Sequence, residues 1–115
     1  MLHDVRCHCG DLAFEVEGEI AEVIRCNCSI CVRKAALLWF APAAAVRWTR
    51  GANQAASYQF GAHRIRHRFC PRCGIHVCGE LEGPDGRPIV AVNARCIDAL
   101  ALDGLRVIDY DGRAD

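Results

Sequence analysis

Seven cysteines fall into three tight groups, Cys7-His8-Cys9, Cys26-Asn27-Cys28-Ser29-Ile30-Cys31 and Cys70-Pro71-Arg72-Cys73, and no other feature restricts the fold of this chain as strongly. Side chains alternate along an extended backbone, so a Cys-x-Cys step puts two sulfurs on one side. A further two-residue spacer turns the chain so that a third can converge. Cys70 to Gly74 has the zinc-knuckle pattern, in which a tight turn presents two thiolates and a glycine allows the turn. Thiols at these spacings suit one tetrahedral metal better than a structural bridge. The total of nine cysteines is odd, which disfavours complete pairing. The first six residues, Met1-Leu2-His3-Asp4-Val5-Arg6, contain no secretory apolar run. The expected setting is therefore the cytoplasm, where thiols stay reduced.

Zinc prefers four ligands in a tetrahedron. Cys7, Cys9, Cys70 and Cys73 supply four as two pairs separated by most of the domain, a structural zinc that pins the N-terminus to the middle of the chain. Its apparent binding energy of roughly 10–16 kcal/mol compares with a net folding stability of about 5–15 kcal/mol, so this ion can decide whether the chain folds. Cys26, Cys28 and Cys31 supply only three ligands to a second ion. Either the fourth position is open to substrate, which makes a catalytic zinc, or Cys96, Cys78 or a histidine closes it. Two zinc ions per chain are expected.

At 115 residues the chain is read as one domain, residues 1–115. Fourteen basic and fourteen acidic side chains balance, which argues against a nucleic-acid partner. No apolar stretch approaches the roughly 20 residues of a membrane span, so no membrane partner is expected. Oligomeric state leaves no mark in the sequence.

Strand signals dominate. In residues 12–17, Leu12, Phe14 and Val16 share one face of a half-buried strand, and residues 22–25 form a short strand that delivers Cys26. Ser29 is a candidate N-cap for a helical turn over residues 30–36. Strands are predicted at 37–41, 46–49, 57–60, 75–78 and 88–93, short helical turns at 43–45 and 97–102, and an edge strand at 105–108 before a polar tail. Residues 63–70 alternate strictly, with His63, Ile65, His67 and Phe69 on one face and an arginine stripe, Arg64, Arg66 and Arg68, on the other. The fold class is thus mainly β, small antiparallel sheets with one or two short helical turns. His8 should point to solvent, and Trp39 and Trp48 belong to the core. His67 and His76, near the knuckle, are candidate acid–base groups, with a packed core histidine as the alternative for each.

Taken in order, Cys-His-Cys-Gly, Cys-Asn-Cys-Ser-Ile-Cys, Phe-Cys-Pro-x-Cys-Gly-Ile-His and Val-Asn-x-Arg-Cys resemble the glutathione-dependent formaldehyde-activating enzyme family, and more closely its centromere protein V branch. The likeness covers nearly the whole chain. It implies a zinc-containing β-tent fold, the structural zinc at Cys7, Cys9, Cys70 and Cys73, and the catalytic zinc at Cys26, Cys28 and Cys31. It also implies a carbon–sulfur lyase that joins glutathione, as co-substrate, to formaldehyde as S-hydroxymethylglutathione or reverses that step. Its partners would be a small thiol and an aldehyde. Arg33 and Lys34, or Arg64, Arg66 and Arg68, then become candidates to clamp the two glutathione carboxylates, with a solvated strand face as the plainer reading. The chain departs from the branch at Ala35, Leu38 and Val77-Cys78, changes that bear on the substrate more than on the metal. Two other functions compete: a non-catalytic zinc module that holds a macromolecule with the arginine stripe, and a thiol oxidoreductase of the methionine-sulfoxide-reductase type using Cys78 or Cys96.

Overall fold

The computed structural model describes residues 1–114. In chain order it contains β1 (Leu2–Arg6), β2 (Ala13–Glu17), β3 (Glu22–Cys26), the helical turn α1 (Ser29–Lys34), β4 (Leu38–Pro42), β5 (Val46–Arg50), β6 (Ala56–Tyr58), β7 (Arg66–Phe69), β8 (His76–Glu82), β9 (Pro88–Asn93) and β10 (Arg106–Tyr110), with short 3-10 turns between and after them. The fold is mainly β, as the alternating patterns predict. β1, β2 and β5 form one sheet, and the order β10-β3-β4-β9-β8-β7-β6 forms a larger one. One pair departs from an all-antiparallel arrangement, because β10 runs parallel to β3.

Period-two alternation explains how the sheets meet. Phe14 and Val16 in β2, with Leu12 just before it, are all but completely buried. They join Val90 and Val92 of β9, Val77 and Cys78, and Cys7 and Cys70 in the main core between the sheets. Ala91, one residue out of phase, points to the opposite face of the larger sheet, where it packs with Leu38, Ala36 and Cys31 under α1. One six-residue strand therefore serves two layers, the Cys7/Cys70 side and the Cys31 side.

Several predicted elements shift. Cys28, not Ser29, is the N-cap of α1, and no side chain caps it. The helix ends where Ala35 takes a left-handed conformation, φ 55°. The predicted strand over 63–70 begins only at Arg66. His63 is left-handed, φ 57°, its N–H donates to Phe60 O, and Gln59 Nε2 donates to His63 O, so a turn replaces the strand start. The alternation also fails within β7, where His67 and Arg68 are both buried. Arg68 lies under Trp48, 5.5 Å from its ring centre, and donates to the carbonyls of Ala52 and Ala55. The predicted turn at 97–102 is replaced by 3-10 turns at Ala94–Cys96 and Leu102–Gly104.

Candidate active site

The first sulfur cluster forms where the ends of β1 and β7 meet. Cys7, Cys9, Cys70 and Cys73 bring their sulfurs within 4.8 Å of one another, with Cys7 to Cys9 at 3.7 Å and Cys9 to Cys70 at 3.6 Å. A Zn–S bond of about 2.3 Å makes the edge of a sulfur tetrahedron about 3.8 Å, so this donor set fits one zinc. Backbone N–H groups of Leu12 and Cys73 donate to Cys7 Sγ and Cys70 Sγ. Gly74 takes φ 80° and its N–H donates to Cys70 O, closing the knuckle turn that a side chain would strain.

The second cluster is made by β3 and α1. Cys26 ends the strand, Cys28 precedes the helix and Cys31 lies in it, and their three sulfurs also fall within 4.8 Å of one another. The Cys28 N–H donates to Cys26 Sγ at 3.4 Å. Burial, then the neighbouring Cys28, push the Cys31 thiol up to about 12, so a metal entering here must displace protons. Three soft sulfurs suit zinc as ligand type, and among the described residues no fourth cysteine, histidine or carboxylate joins them. Cys96, a possible fourth ligand or nucleophile from the sequence, is not in the cluster and fits the third reading, an inert buried thiol. It is buried in the core between the sheets, and its thiol donates to His76 O at 3.5 Å, so the larger sheet separates it from α1. Cys78 is buried in the same core, and burial pushes both thiols up to about 12. Neither has the exposed, electropositive surroundings of a reactive thiol. All nine cysteines are free thiols.

The C-terminal segment, which the sequence offers only as a polar tail, covers this second cluster. Asn27 N–H donates to Tyr110 O, Asn27 Nδ2 to Asp111 Oδ1, and Arg113 N–H and Nε to the side-chain and backbone oxygens of Asn27. Gly112 sits against Cys26 and Cys28. The signal that foretells this is the polar Asn27 between two ligands, which can fasten a strap without competing for metal.

Beside the three sulfurs opens a cavity of about 200 Å³ lined by Cys26, Cys28, Cys31, Lys34, His67 and His76 together with apolar side chains. Lys34 Nζ donates to His67 Nδ1 at 3.2 Å and to His76 Nε2 at 3.1 Å. Burial, with Lys34 second, holds His67 down at about 4 and His76 at about 3. Both imidazoles are therefore neutral near pH 7, and each accepts from Lys34 on one nitrogen and carries its proton on the other. Those other nitrogens, His67 Nε2 and His76 Nδ1, are buried with no partner among the described residues. Burial also lowers the Lys34 ammonium.

The arginine stripe is divided. Arg68 bonds Glu80 at 2.9 Å beneath Trp48 and is closed to a substrate, and Arg66 pairs with the same carboxylate at 3.7 Å. Arg64 is exposed on a broad groove that shares Ile24, Phe40, Ile65 and Leu81 with the cavity. Arg33 donates to Ser29 O beside Ile30 and Phe60. Lys34, a candidate carboxylate clamp from the sequence, lines the cavity and donates to the two histidines. His8 is exposed and Trp48 packs against Phe14.

A mainly β scaffold that gathers four cysteine sulfurs at its core and three beside a cavity defines a protein with two cysteine clusters fit for metal, one with four ligands and one with three. The chain belongs to the glutathione-dependent formaldehyde-activating enzyme family, whose model matches residues 2–106. It is also similar to a Rhodobacter sphaeroides protein of known crystal structure, a structural-genomics target. The two share 29% identity with a TM-score of 0.77, covering 94% of this chain and 100% of that one. Among the described residues no helix is long and apolar enough to cross a membrane.

Proposed function

We propose that this chain is a zinc-dependent carbon–sulfur lyase that makes or breaks the bond between the sulfur of glutathione and the carbonyl carbon of an aldehyde. The observation that carries this reading is the convergence of Cys26, Cys28 and Cys31 at a cavity whose wall also holds Lys34, His67 and His76. Zinc held by the three sulfurs would bind an incoming thiol as thiolate at neutral pH. When the adduct forms, sulfur and carbon bond, the carbonyl π pair moves to oxygen, and that oxygen takes up a proton. The reverse step breaks the carbon–sulfur bond and returns the proton, the thiolate and the aldehyde. Lys34 supplies a positive charge for the oxygen as it becomes negative, and the two neutral imidazoles hold the ammonium in place and can relay its proton. Arg64 and Arg33, exposed near the cavity, are the candidates to pair the glutathione carboxylates.

Cys7, Cys9, Cys70 and Cys73 hold the structural ion in this reading, and cysteines that are to hold metal must stay reduced, as they do in the cytoplasm. The test is metal analysis of wild type and Cys28→Ser together with glutathione titration. The expected result is two zincs in wild type, one in a variant that stays folded, and loss of glutathione binding with the missing ion. A variant that keeps glutathione affinity would end the proposal.

A further inference from the structure

We infer that the aldehyde handled at this site is apolar and about six carbons long with its carbonyl carbon included, and that a one-carbon aldehyde is not the substrate the cavity is shaped for. The inference rests on the lyase reading and adds the class of aldehyde. Ile24 of β3, Phe40 of β4 and Leu81 of β8 all project to the face that carries α1, because each is in phase with its neighbours across the strands. Ile65 and Phe60, from the segment before β7, complete the wall. Gly79 lies in the same row, and a Cβ there would stand 3.0 Å from Ile65 Cγ2, so the missing side chain keeps the floor open.

Size and polarity then decide the occupant. The cavity's volume of about 200 Å³ equals six or seven waters at ~30 Å³ each. A methylene needs about the room of a water, whereas a one-carbon aldehyde fills only about two such volumes. The peptide groups of glutathione cannot fill the remainder, since burying amides against carbon without hydrogen-bond partners is unfavourable. They belong in the open groove by Arg64. The polar groups that line the cavity, Lys34, His67 and His76, are tied to one another on one wall. Phe40 and Phe60 remain 45% and 41% exposed, apolar surface at the cavity that a hydrocarbon chain would cover. In the adduct the carbonyl carbon is bonded to the glutathione sulfur, its oxygen carries the added proton, and its alkyl substituent runs along Ile65 and Leu81.

The test uses the zinc-loaded full chain and S-alkylglutathiones, which mimic the adduct without turnover. Calorimetry with S-methyl-, S-butyl-, S-hexyl- and S-decylglutathione should show affinity rising by about fourfold per methylene and levelling near six carbons. Leu81→Trp should move the break to shorter chains and Leu81→Ala to longer ones. The wild-type ladder decides the matter alone if either variant fails to fold. Equal affinity for S-methyl- and S-hexylglutathione, with glutathione itself still bound, would overturn the chain preference and leave the lyase reading standing. Failure of glutathione to bind at all would take down both.

Discussion

Gly112 lies so close to Cys26 that a Cβ built on it would stand 2.5 Å from the Cys26 sulfur and 3.0 Å from Cys28 Cβ. Glycine is needed here for space, because no left-handed backbone is involved at this position. Gly112→Val must therefore displace either the tail or the ligand loop. The expected outcome is a fall from two bound metals to about one with the fold retained, checked by metal analysis and circular dichroism. Gly104→Ala, where nothing lies within 4 Å, should leave both metals in place.

Removing one sulfur of the four-cysteine cluster should have a different outcome. Cys73→Ser breaks a site that joins the end of β1 to the end of β7, and the metal term of roughly 10–16 kcal/mol is as large as the whole stability of a domain. Loss of cooperative thermal unfolding is expected for this variant. Cys28→Ser should still melt cooperatively, and a native-like melt for Cys73→Ser would show that the core alone sustains the fold.

Arg68 and Arg64 separate structure from binding. Arg68→Ala removes a buried guanidinium that bonds Glu80 and two carbonyls, and should destabilise the protein by about 2–4 kcal/mol in urea unfolding. Arg64→Ala touches an exposed side chain and should change stability by less than about 0.5 kcal/mol while weakening glutathione. If both variants unfold at the same urea concentration as wild type, the assignment of Arg68 to the core is wrong.

Acid should destabilise the site through its histidines. An unperturbed imidazole titrates near 6.5, whereas His67 is held at about 4 and His76 at about 3. As pH falls, the unfolded chain takes up these protons first. The contribution is complete above about pH 6.5, is lost for His67 as pH drops toward about 4, and for His76 toward about 3. Denaturation midpoints between pH 7 and 4 should fall in wild type and fall less steeply in His67→Gln. Parallel slopes would exclude the histidine as the cause.

The cysteine groups were legible because metal ligation requires particular spacings, and the structure gathers each set as spacing implies. The strand carrying Phe14 and Val16 was legible because one of its faces is the core. The arginine stripe misled for a physical reason. Alternation identifies a strand by assuming one wet face, and the Arg68 face is roofed by Trp48 and the 52–55 loop. The tail over Cys26 left only one local trace, the polar Asn27 between two ligands, because Gly112 and Asn27 act through contacts across 85 residues of chain, and no local periodicity records those. For the same reason the sequence did not disclose the cavity, which draws its wall from several separate strands.

The order of the ligands along the chain also sets a schedule. Cys31 leaves the ribosome 42 residues before Cys73, a lead of about 2–8 s at ~5–20 residues per second. All three sulfurs of the Cys26, Cys28 and Cys31 set are therefore synthesised before the four-sulfur set gains Cys70 and Cys73, and Gly112, which packs against Cys26 and Cys28, follows both.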